Sequence, residues 1–271
     1  METAGNQGFS PMVCNLHSHT VRCNHASGSE EDYIREAIRG GLRVFGFSDH
    51  TPMPFPEGYY STFRMRPGQQ EDYVKTLLGL REKYRGKIDI RIGYEAEYYP
   101  KYFTSLLEML HRFPVDFIIQ GQHMLENEYP DVRYCGITTD DPEYLHAFVS
   151  QSCEGMETGA FTYLAHPDLL DFSGSSVIFE EEYGRLIDCT VRLGVPLEIN
   201  LLGIRGRRKY PHEEFFRLAG EMGAKIVIGC DAHTAADACD KASYRKAIRM
   251  VERYHLNYIP IPDLVQVPEK A

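Results

Sequence analysis

The sequence predicts an α/β protein in which parallel strands close into a barrel. Three observations support this fold class. Short runs of β-branched or aromatic residues alternate with helix-like stretches whose apolar residues recur three or four positions apart. Side chains that can bind metal follow nearly every run. The length of 271 residues is about that of one α/β barrel. We therefore expect a single domain over residues 1–271, with about the first ten residues and the extreme C-terminus loosely held.

Seven segments have the composition of strands, and seven longer ones have helical periodicity. The predicted strands are 12–16, 43–47, 88–92, 115–119, 161–165, 196–199 and 225–228. The predicted helices are 31–39, 70–84, 102–111, 142–156, 180–193, 213–222 and 235–254. Ser29 before the first helix and Gly41 after it are typical start and stop signals. Alternating strands and helices favour parallel pairing through right-handed crossovers, in either a doubly wound sheet or a closed barrel.

The ends of the predicted strands carry most of the chemically informative residues. In chain order these are His17 and His19, Asp49 and His50, Glu95, His123, His166, Asn200, and Asp231 and His233. Barrel active sites are assembled where the C-terminal ends of several strands meet. The outer strands of an open sheet would be too far apart to share one site. The spread of these residues therefore favours closure of the sheet.

An isolated histidine is more often a packing or surface residue than a ligand, and we expect that of the histidines away from strand ends, His111, His146, His212 and His255. His17 and His19 are different because alternate side chains leave the chain on one side and can bind one ion together. Imidazole combined with carboxylate suits zinc, iron or manganese. Clustered thiols are missing from the sequence, which argues against a structural zinc site, and Cys230 is expected to point away from the strand ends.

Two glutamates lie near the end of the third predicted strand. Glu95 is the better candidate to bridge two ions through its two oxygens, because it lies nearer the strand end than Glu97. For Glu97 the sequence leaves open a role as a ligand or as a solvated or substrate-facing carboxylate.

Composition and net charge argue against several classes of protein. The net charge of −10 disfavours a general nucleic-acid binder, which needs a surplus of Lys and Arg. The sequence has no apolar run long enough to cross a bilayer, and its N-terminus lacks a basic start and an apolar core, so we expect a cytoplasmic protein. Seven cysteines without a CxxC pair are expected to be reduced. No feature of the sequence specifies an oligomeric state.

Seven segments in this order resemble the polymerase and histidinol phosphatase (PHP) family of metallohydrolases, specifically its histidinol-phosphatase branch. They are Asn15-Leu-His-Ser-His-Thr20 with Cys23-Asn-His-Ala26, Gly46-Phe-Ser-Asp-His50, Gly93-Tyr-Glu-Ala-Glu97, Gly121-Gln-His123, Ala165-His-Pro167, Glu198-Ile-Asn200 and Gly229-Cys-Asp-Ala-His233. The resemblance implies a distorted seven-stranded barrel with two to three divalent ions, zinc, manganese or iron. It spans most of the chain.

The resemblance also implies which residues bind the ions. The first ion would be held by His17, His19, Glu95 and Asp231, the second by Glu95, His123 and His166, and the third by His25, His50 and His233. His25 enters on the resemblance alone, since it follows no strand end. Asp49 would orient an imidazole N–H.

The implied reaction is hydrolysis of L-histidinol phosphate to L-histidinol and phosphate, in histidine biosynthesis, by in-line attack of a hydroxide held between two ions. Glu95 and Asp231 are the expected catalytic carboxylates. Either Asp231 or a bound water would protonate the leaving alkoxide.

The substrate phosphate also needs cationic partners from the protein. The candidates after the sixth predicted strand are Arg205, Arg207 and Arg208, because a guanidinium matches two phosphate oxygens at once. The loop 51–67 adds Arg64 and Arg66, and its aromatic residues suggest a lid. A solvated basic loop is the alternative for each of these residues.

Three other functions remain open at this point. Another phosphoesterase of the same family would act on a nucleotide or sugar phosphate, although the similarity of loop 51–67 and of Glu95-Ala-Glu-Tyr98 favours histidinol phosphate. A non-catalytic metal-binding or polymerase-associated module would be expected to lack one or more ligands. An amidohydrolase-like deaminase or lactonase would be expected to have a metal-bridging lysine, and no lysine follows a predicted strand.

Overall fold

The computed structural model describes residues 10–268. The ends predicted to be loosely held lie, apart from Ser10, outside these described residues. The strands are β1 Cys14–Asn15, β2 Val44–His50, β3 Asp89–Ala96, β4 Phe117–Gln120, β5 Thr138–Thr139, β6 Asp171–Phe172, β7 Leu197–Asn200, β8 Lys225–Gly229 and β9 Asn257–Tyr258. The helices are α1 Glu30–Gly40, α2 Gln70–Lys83, α3 Phe103–Leu110, α4 Pro142–Glu157, α5 Ser176–Leu193, α6 Leu201–Gly206, α7 Glu213–Glu221 and α8 Lys241–Arg253.

Parallel pairing closes the main sheet into a distorted barrel. The strands β1 to β4 pair in chain order, and β7, β8 and β9 form a second parallel run. Leu164 forms parallel bridges to both β4 and β7 and thereby joins the two runs on one side. A parallel bridge between Ser18 and Ala232 joins them on the other. The predicted α/β barrel is confirmed.

Residues 161–165 do not form a continuous strand, so the strand predicted there is wrong in detail. Its backbone still bonds to both neighbours, because Leu164 N–H donates to Pro196 and Ala165 N–H donates to Gln120. The chain then turns at His166, whose φ is 30°. The segment therefore takes the place of one barrel strand while forming only single bridges.

The seam between β1 and β8 is completed by a buried side chain. The Asn15 Oδ1 atom accepts hydrogen bonds from the backbone N–H of His17 at 3.0 Å and of Cys230 at 3.0 Å. Its Nδ2 donates to the carbonyl of Ala238 at 3.2 Å. The Asn15 side chain therefore supplies hydrogen bonds across this seam, where the backbone forms a single bridge and not a full ladder.

Caps explain where the helices begin. Ser29 accepts a hydrogen bond from Asp32 N–H, as its position before α1 predicts. Asp240 accepts from Ser243 N–H, so the last helix starts at Lys241 and the predicted start at residue 235 is wrong. Helix α6 was not predicted. It starts directly after β7 because the Asn200 side chain accepts from Gly203 N–H at 3.2 Å.

An apolar plug fills the barrel below its C-terminal edge. It consists of Cys14, Leu16, Phe117, Ile119, Tyr163, Ala165 and Val227. A larger apolar cluster packs the helices on the outside of the sheet. Since the plug closes the interior, polar side chains of the barrel are confined to the strand ends above it. Between residues 10 and 268, no helix has both the length and the apolarity needed to cross a membrane.

Candidate metal centre

Nine side chains meet at the C-terminal edge of the barrel. They are His17, His19, His25, His50, Glu95, His123, His166, Asp231 and His233. Eight of them follow or end the predicted strands, and the sequence pattern placed those correctly at this edge. His25 arrives from the loop after β1, where only the resemblance pointed to it. The structure thus brings together all nine residues predicted to bind metal.

Glu95 lies at the centre, with its two oxygens facing different imidazoles. Its Oε2 is 3.5 Å from His17 Nε2 and 3.5 Å from His19 Nε2. Its Oε1 is 2.8 Å from His166 Nε2 and 3.5 Å from His123 Nε2. A carboxylate placed in this way can contact two cations, one on each side.

Asp231 completes the first side. Its Oδ1 lies 3.2 Å from His19 Nε2 and 3.7 Å from His17 Nε2. The backbone of Asp231 is left-handed, with a φ of 47°, which is uncommon for a residue other than glycine. Arg205 donates to the Asp231 carbonyl at 2.5 Å and to the Cys230 carbonyl at 2.6 Å, and these bonds hold the strained segment.

A third group of imidazoles lies nearer the surface. The Nε2 atoms of His25 and His233 are 2.9 Å apart. The His233 ring stacks on His19 with 4.2 Å between ring centroids, and the His50 ring lies 5.5 Å from His25. The Cys23 thiol belongs to the same group, and burial raises its pKa to about 12. Facing nitrogens of this kind suit a shared cation.

Unpartnered polar atoms test whether the residues fit a metal. Within residues 10–268, hydrogen-bond partners are missing for the buried atoms His17 Nε2, His19 Nδ1 and Nε2, His50 Nδ1 and Asp231 Oδ1. Buried polar atoms are nearly always hydrogen-bonded, so a cluster of exceptions requires an explanation. Imidazole nitrogen and carboxylate oxygen are the donors that zinc, manganese and iron bind. The residues therefore fit divalent transition metals.

The electrostatics of the site support cation binding. Burial opposes ionisation of Glu95, but nearby histidines, His123 foremost, hold its pKa well below the usual range. The pKa of Asp231 is also held well below its usual range, against burial, by His17 and its neighbours. Carboxylates around His19 outweigh burial and raise its pKa to about 9. The two acids are thus anions at neutral pH and attract positive charge.

Glu198 is a functional residue to which the sequence analysis assigned no role. Its Oε1 is 2.8 Å from His17 Nδ1, which leaves His17 Nε2 directed at Glu95. Its Oε2 accepts from Asn200 Nδ2 at 2.9 Å and from His166 N–H at 3.1 Å. The signals in the sequence are an acidic residue inside a strand that is otherwise apolar and its place in the segment Glu198-Ile-Asn200 that resembles the family.

Glu198→Gln is expected to lower metal affinity about 10- to 100-fold, because outer carboxylates fix the tautomer and orientation of a ligating histidine. Titration of the metal-free protein with Zn²⁺ measures this. Glu180→Gln, at an exposed position of α5, is the control. Equal zinc affinity in both variants would contradict the role given to Glu198.

Two glycines leave room for these carboxylates. A Cβ atom at Gly121 would lie 2.0 Å from Glu95 Oε1, and one at Gly229 would lie 1.8 Å from Glu198 Oε1. Neither distance is sterically possible. Asp49 lies at the same edge, with its Oδ1 3.5 Å from His19 Nδ1, but it forms no hydrogen bond to that nitrogen and accepts from the backbone N–H of His50 instead.

A cavity of about 510 Å³ opens over the cluster. Besides seven of the clustered histidines and acids, it is lined by Phe63, Met124, Tyr134, Leu169, Leu202, Arg208 and Tyr210. Arg208 donates to the Tyr210 hydroxyl at 3.2 Å. The cavity therefore has the histidine and carboxylate cluster on its floor, one guanidinium and an apolar wall.

The other predicted substrate-binding residues lie outside this cavity. Arg205 is engaged by backbone carbonyls and by Asp237, 3.3 Å away. Arg207 ends α6 with a left-handed φ of 51° and lines a separate surface groove. Arg64 and Glu97 are buried and paired with each other at 2.9 Å, so neither faces substrate. Among the predicted arginines, Arg208 is therefore the remaining candidate for binding the substrate phosphate.

A sequence family and two relatives of known name are similar to this chain over most of its length. The sequence model of the PHP domain family matches residues 15–201. A probable histidinol-phosphatase of Deinococcus radiodurans is 27% identical over 82% of this chain and 86% of its own length. A probable histidinol-phosphatase of Schizosaccharomyces pombe is 28% identical over 82% of this chain and 81% of its own length.

A solved structure shares the fold. The histidinol phosphate phosphatase of Lactococcus lactis, crystallised with zinc, L-histidinol and phosphate, superposes with a TM-score of 0.72 at 18% identity, over 94% of this chain and 100% of that one. A parallel barrel that gathers imidazoles around one shared carboxylate is the architecture of a metal-dependent hydrolase. The chain belongs to the PHP domain family.

Proposed function

We propose that this protein is a metal-dependent phosphatase that hydrolyses L-histidinol phosphate to L-histidinol and phosphate. The observation that carries the proposal is Glu95, whose two oxygens face two sets of imidazoles on the floor of a cavity that also contains Arg208. The relatives from Deinococcus and Schizosaccharomyces are named probable histidinol-phosphatases. The similar Lactococcus enzyme was crystallised with zinc, histidinol and phosphate.

Two to three divalent ions, zinc, manganese or iron, would be held as the resemblance implies. One set is His17, His19, Glu95 and Asp231; another is Glu95, His123 and His166; the third is His25, His50 and His233. When bound, such ions supply a nucleophile at neutral pH and neutralise the phosphoryl oxygens. Glu95 and Asp231 are the catalytic carboxylates of this proposal, because both line the cavity and face the clustered imidazoles.

The remaining cavity residues would bind the substrate. The Arg208 guanidinium can donate two hydrogen bonds to phosphate oxygens, and the Tyr210 hydroxyl holds it in place. The apolar side chains of Phe63, Met124 and Leu169 would contact the organic part. A volume of about 510 Å³ lies within the range of roughly 300 to 1,000 Å³ that small-molecule sites occupy, so a phosphorylated small molecule fits.

The first test is phosphate release from a panel of monoesters by protein of known metal content. Histidinol phosphate is expected to give a kcat/KM at least about tenfold above a nucleoside monophosphate and a sugar phosphate, a margin of about 1.4 kcal/mol in transition-state binding. A nucleotide or sugar phosphate as the best substrate would show that the protein is another phosphoesterase of the family. No release from any monoester would refute the phosphatase proposal.

Purified protein is expected to carry more than one equivalent of transition metal. Nine candidate ligands exceed the four that one zinc ion usually binds. Elemental analysis of protein prepared without chelators measures the ratio. At most one equivalent in fully active protein would refute a multinuclear centre.

A further inference from the structure

Two loops that surround the cavity meet at one buried arginine. The first mouth loop, residues 51–66, follows β2, and the second mouth loop, residues 121–137, follows β4. Arg64 of the first loop is only 2% exposed. It donates from Nη1 and Nη2 to the two oxygens of Glu97, both at 2.9 Å. The Arg64 guanidinium thus binds the residue just beyond β3 in a bidentate pair.

The same guanidinium also holds the second mouth loop. Arg64 Nε donates to Glu128 Oε2 at 2.8 Å, and the other Glu128 oxygen accepts from the Tyr59 hydroxyl at 2.9 Å. The Tyr59 ring lies 4.7 Å from the ring of Tyr129. Arg64 and Tyr59 of the first mouth loop therefore both donate hydrogen bonds to the Glu128 carboxylate of the second mouth loop.

The network reaches the metal centre through Glu97. Its Oε1, besides accepting from Arg64, lies 2.9 Å from His123 Nδ1. An Nδ1–H directed at this carboxylate leaves the Nε2 lone pair of His123 for a cation, and that atom faces Glu95. Arg64 also lies 4.4 Å from the ring centroid of Phe63, and the rings of Phe63 and His50 are nearly perpendicular, with 5.3 Å between their centroids.

Stability alone does not account for this arrangement. One guanidinium serves two carboxylates, and all three groups are at most 2% exposed. Replacing such a buried ionic cluster by apolar residues is often neutral or stabilising, since desolvation of the charges offsets their attraction. The cluster does fix the orientation of its side chains, because a bidentate pair holds both partners in one plane.

We propose that Arg64 is a positioning residue that couples the two mouth loops to His123. Through Glu97 it sets the orientation of a metal-binding imidazole, and through Glu128 it holds the loops closed around the cavity. This inference rests on the metal centre of the proposed function, but not on the identity of the substrate.

The test compares Arg64→Lys with Glu128→Gln in the full chain. Metal-free protein is titrated with Zn²⁺ alone, and its thermal unfolding and the kcat and KM of the loaded enzyme are measured separately. Arg64→Lys is expected to weaken the zinc site that includes His123 about 10- to 100-fold, because a lysine cannot form the bidentate pair. Glu128→Gln leaves that pair intact, so its zinc affinity should stay within about threefold of the unmodified protein while KM rises.

Arg133→Lys is the matched control, because Arg133 lies in the second mouth loop in an exposed ion pair, 3.1 Å from Glu126. It should change none of these quantities. If Arg64→Lys lowers thermal stability but binds zinc as the unmodified protein does, Arg64 is only a brace and the proposal is overturned.

If Arg64→Lys fails to fold, the double variant Arg64→Lys with Glu128→Gln is used, since one ammonium then serves one carboxylate. It must show the same loss of zinc affinity, and normal affinity would overturn the proposal. Because the titration contains no substrate, failure to hydrolyse histidinol phosphate would refute the proposed function without affecting this result.

Discussion

Glu95→Gln is expected to reduce kcat/KM by on the order of 10³-fold, which corresponds to about 4 kcal/mol of lost transition-state stabilisation. The amide keeps the shape of the side chain but loses the negative charge and one of the two acceptor oxygens that face opposite imidazoles. Metal content should fall with activity, because this carboxylate faces imidazoles on both sides of the cluster.

Glu97→Gln is the comparison that tests the bridge. Glu97 contacts Arg64 and His123 and lies outside the cavity, so its loss should cost only about 10- to 100-fold, as for other outer partners of ligands. Glu126→Gln, at an exposed position, should have no effect. Equal losses in the Glu95 and Glu97 variants, measured as kcat/KM and metal equivalents, would show that the bridging role is misassigned.

Arg208→Ala is expected to lower kcat/KM for histidinol phosphate by about tenfold to a hundredfold, since charge-assisted hydrogen bonds contribute roughly 1.5 to 3 kcal/mol. Metal content should not change, because Arg208 contacts Tyr210 and not the histidines. Lysine at the same position should restore activity only in part, because it keeps the charge without the fork.

Arg207→Ala is the matched control for that variant. It removes the same charge from the preceding residue of the chain, which lines a surface groove shared with Arg208 but not the cavity over the cluster. The two variants are compared by steady-state kinetics at one ionic strength. If both keep full kcat/KM, the phosphate is bound by other groups and Arg208 is merely part of the cavity wall.

The barrel and eight of the nine clustered residues could be predicted because strand ends in a parallel barrel share one edge. That rule depends only on periodicity and chain direction, both of which are visible in the sequence. His25 escaped it because a loop delivers the side chain. No strand pattern indicates where a loop folds back.

The arginines were harder to predict for a related reason. The direction of Arg205, Arg207 and Arg208 depends on α6, whose start is set by the Asn200 cap and whose end is set by the left-handed Arg207. A shift of one residue in such a short helix turns a side chain by about 100°. The roles of Glu198 and Arg64 rest on partners far away in the chain, and pattern analysis does not identify such pairs.

The seam closed by Asn15 has a consequence for biosynthesis. Asn15 bonds to Ala238, 223 residues later, so β1 finds its neighbour on this side only after β8 and the segment that follows it have been made. Until then β1 has one unpaired edge, and His17 and His19 lack Asp231. Contacts this distant in sequence form slowly and leave partly folded chains exposed to association. The nascent chain therefore completes its histidine and carboxylate cluster only after β8 and Asp231 have been made, and the edge of β1 that carries His17 and His19 stays open until then.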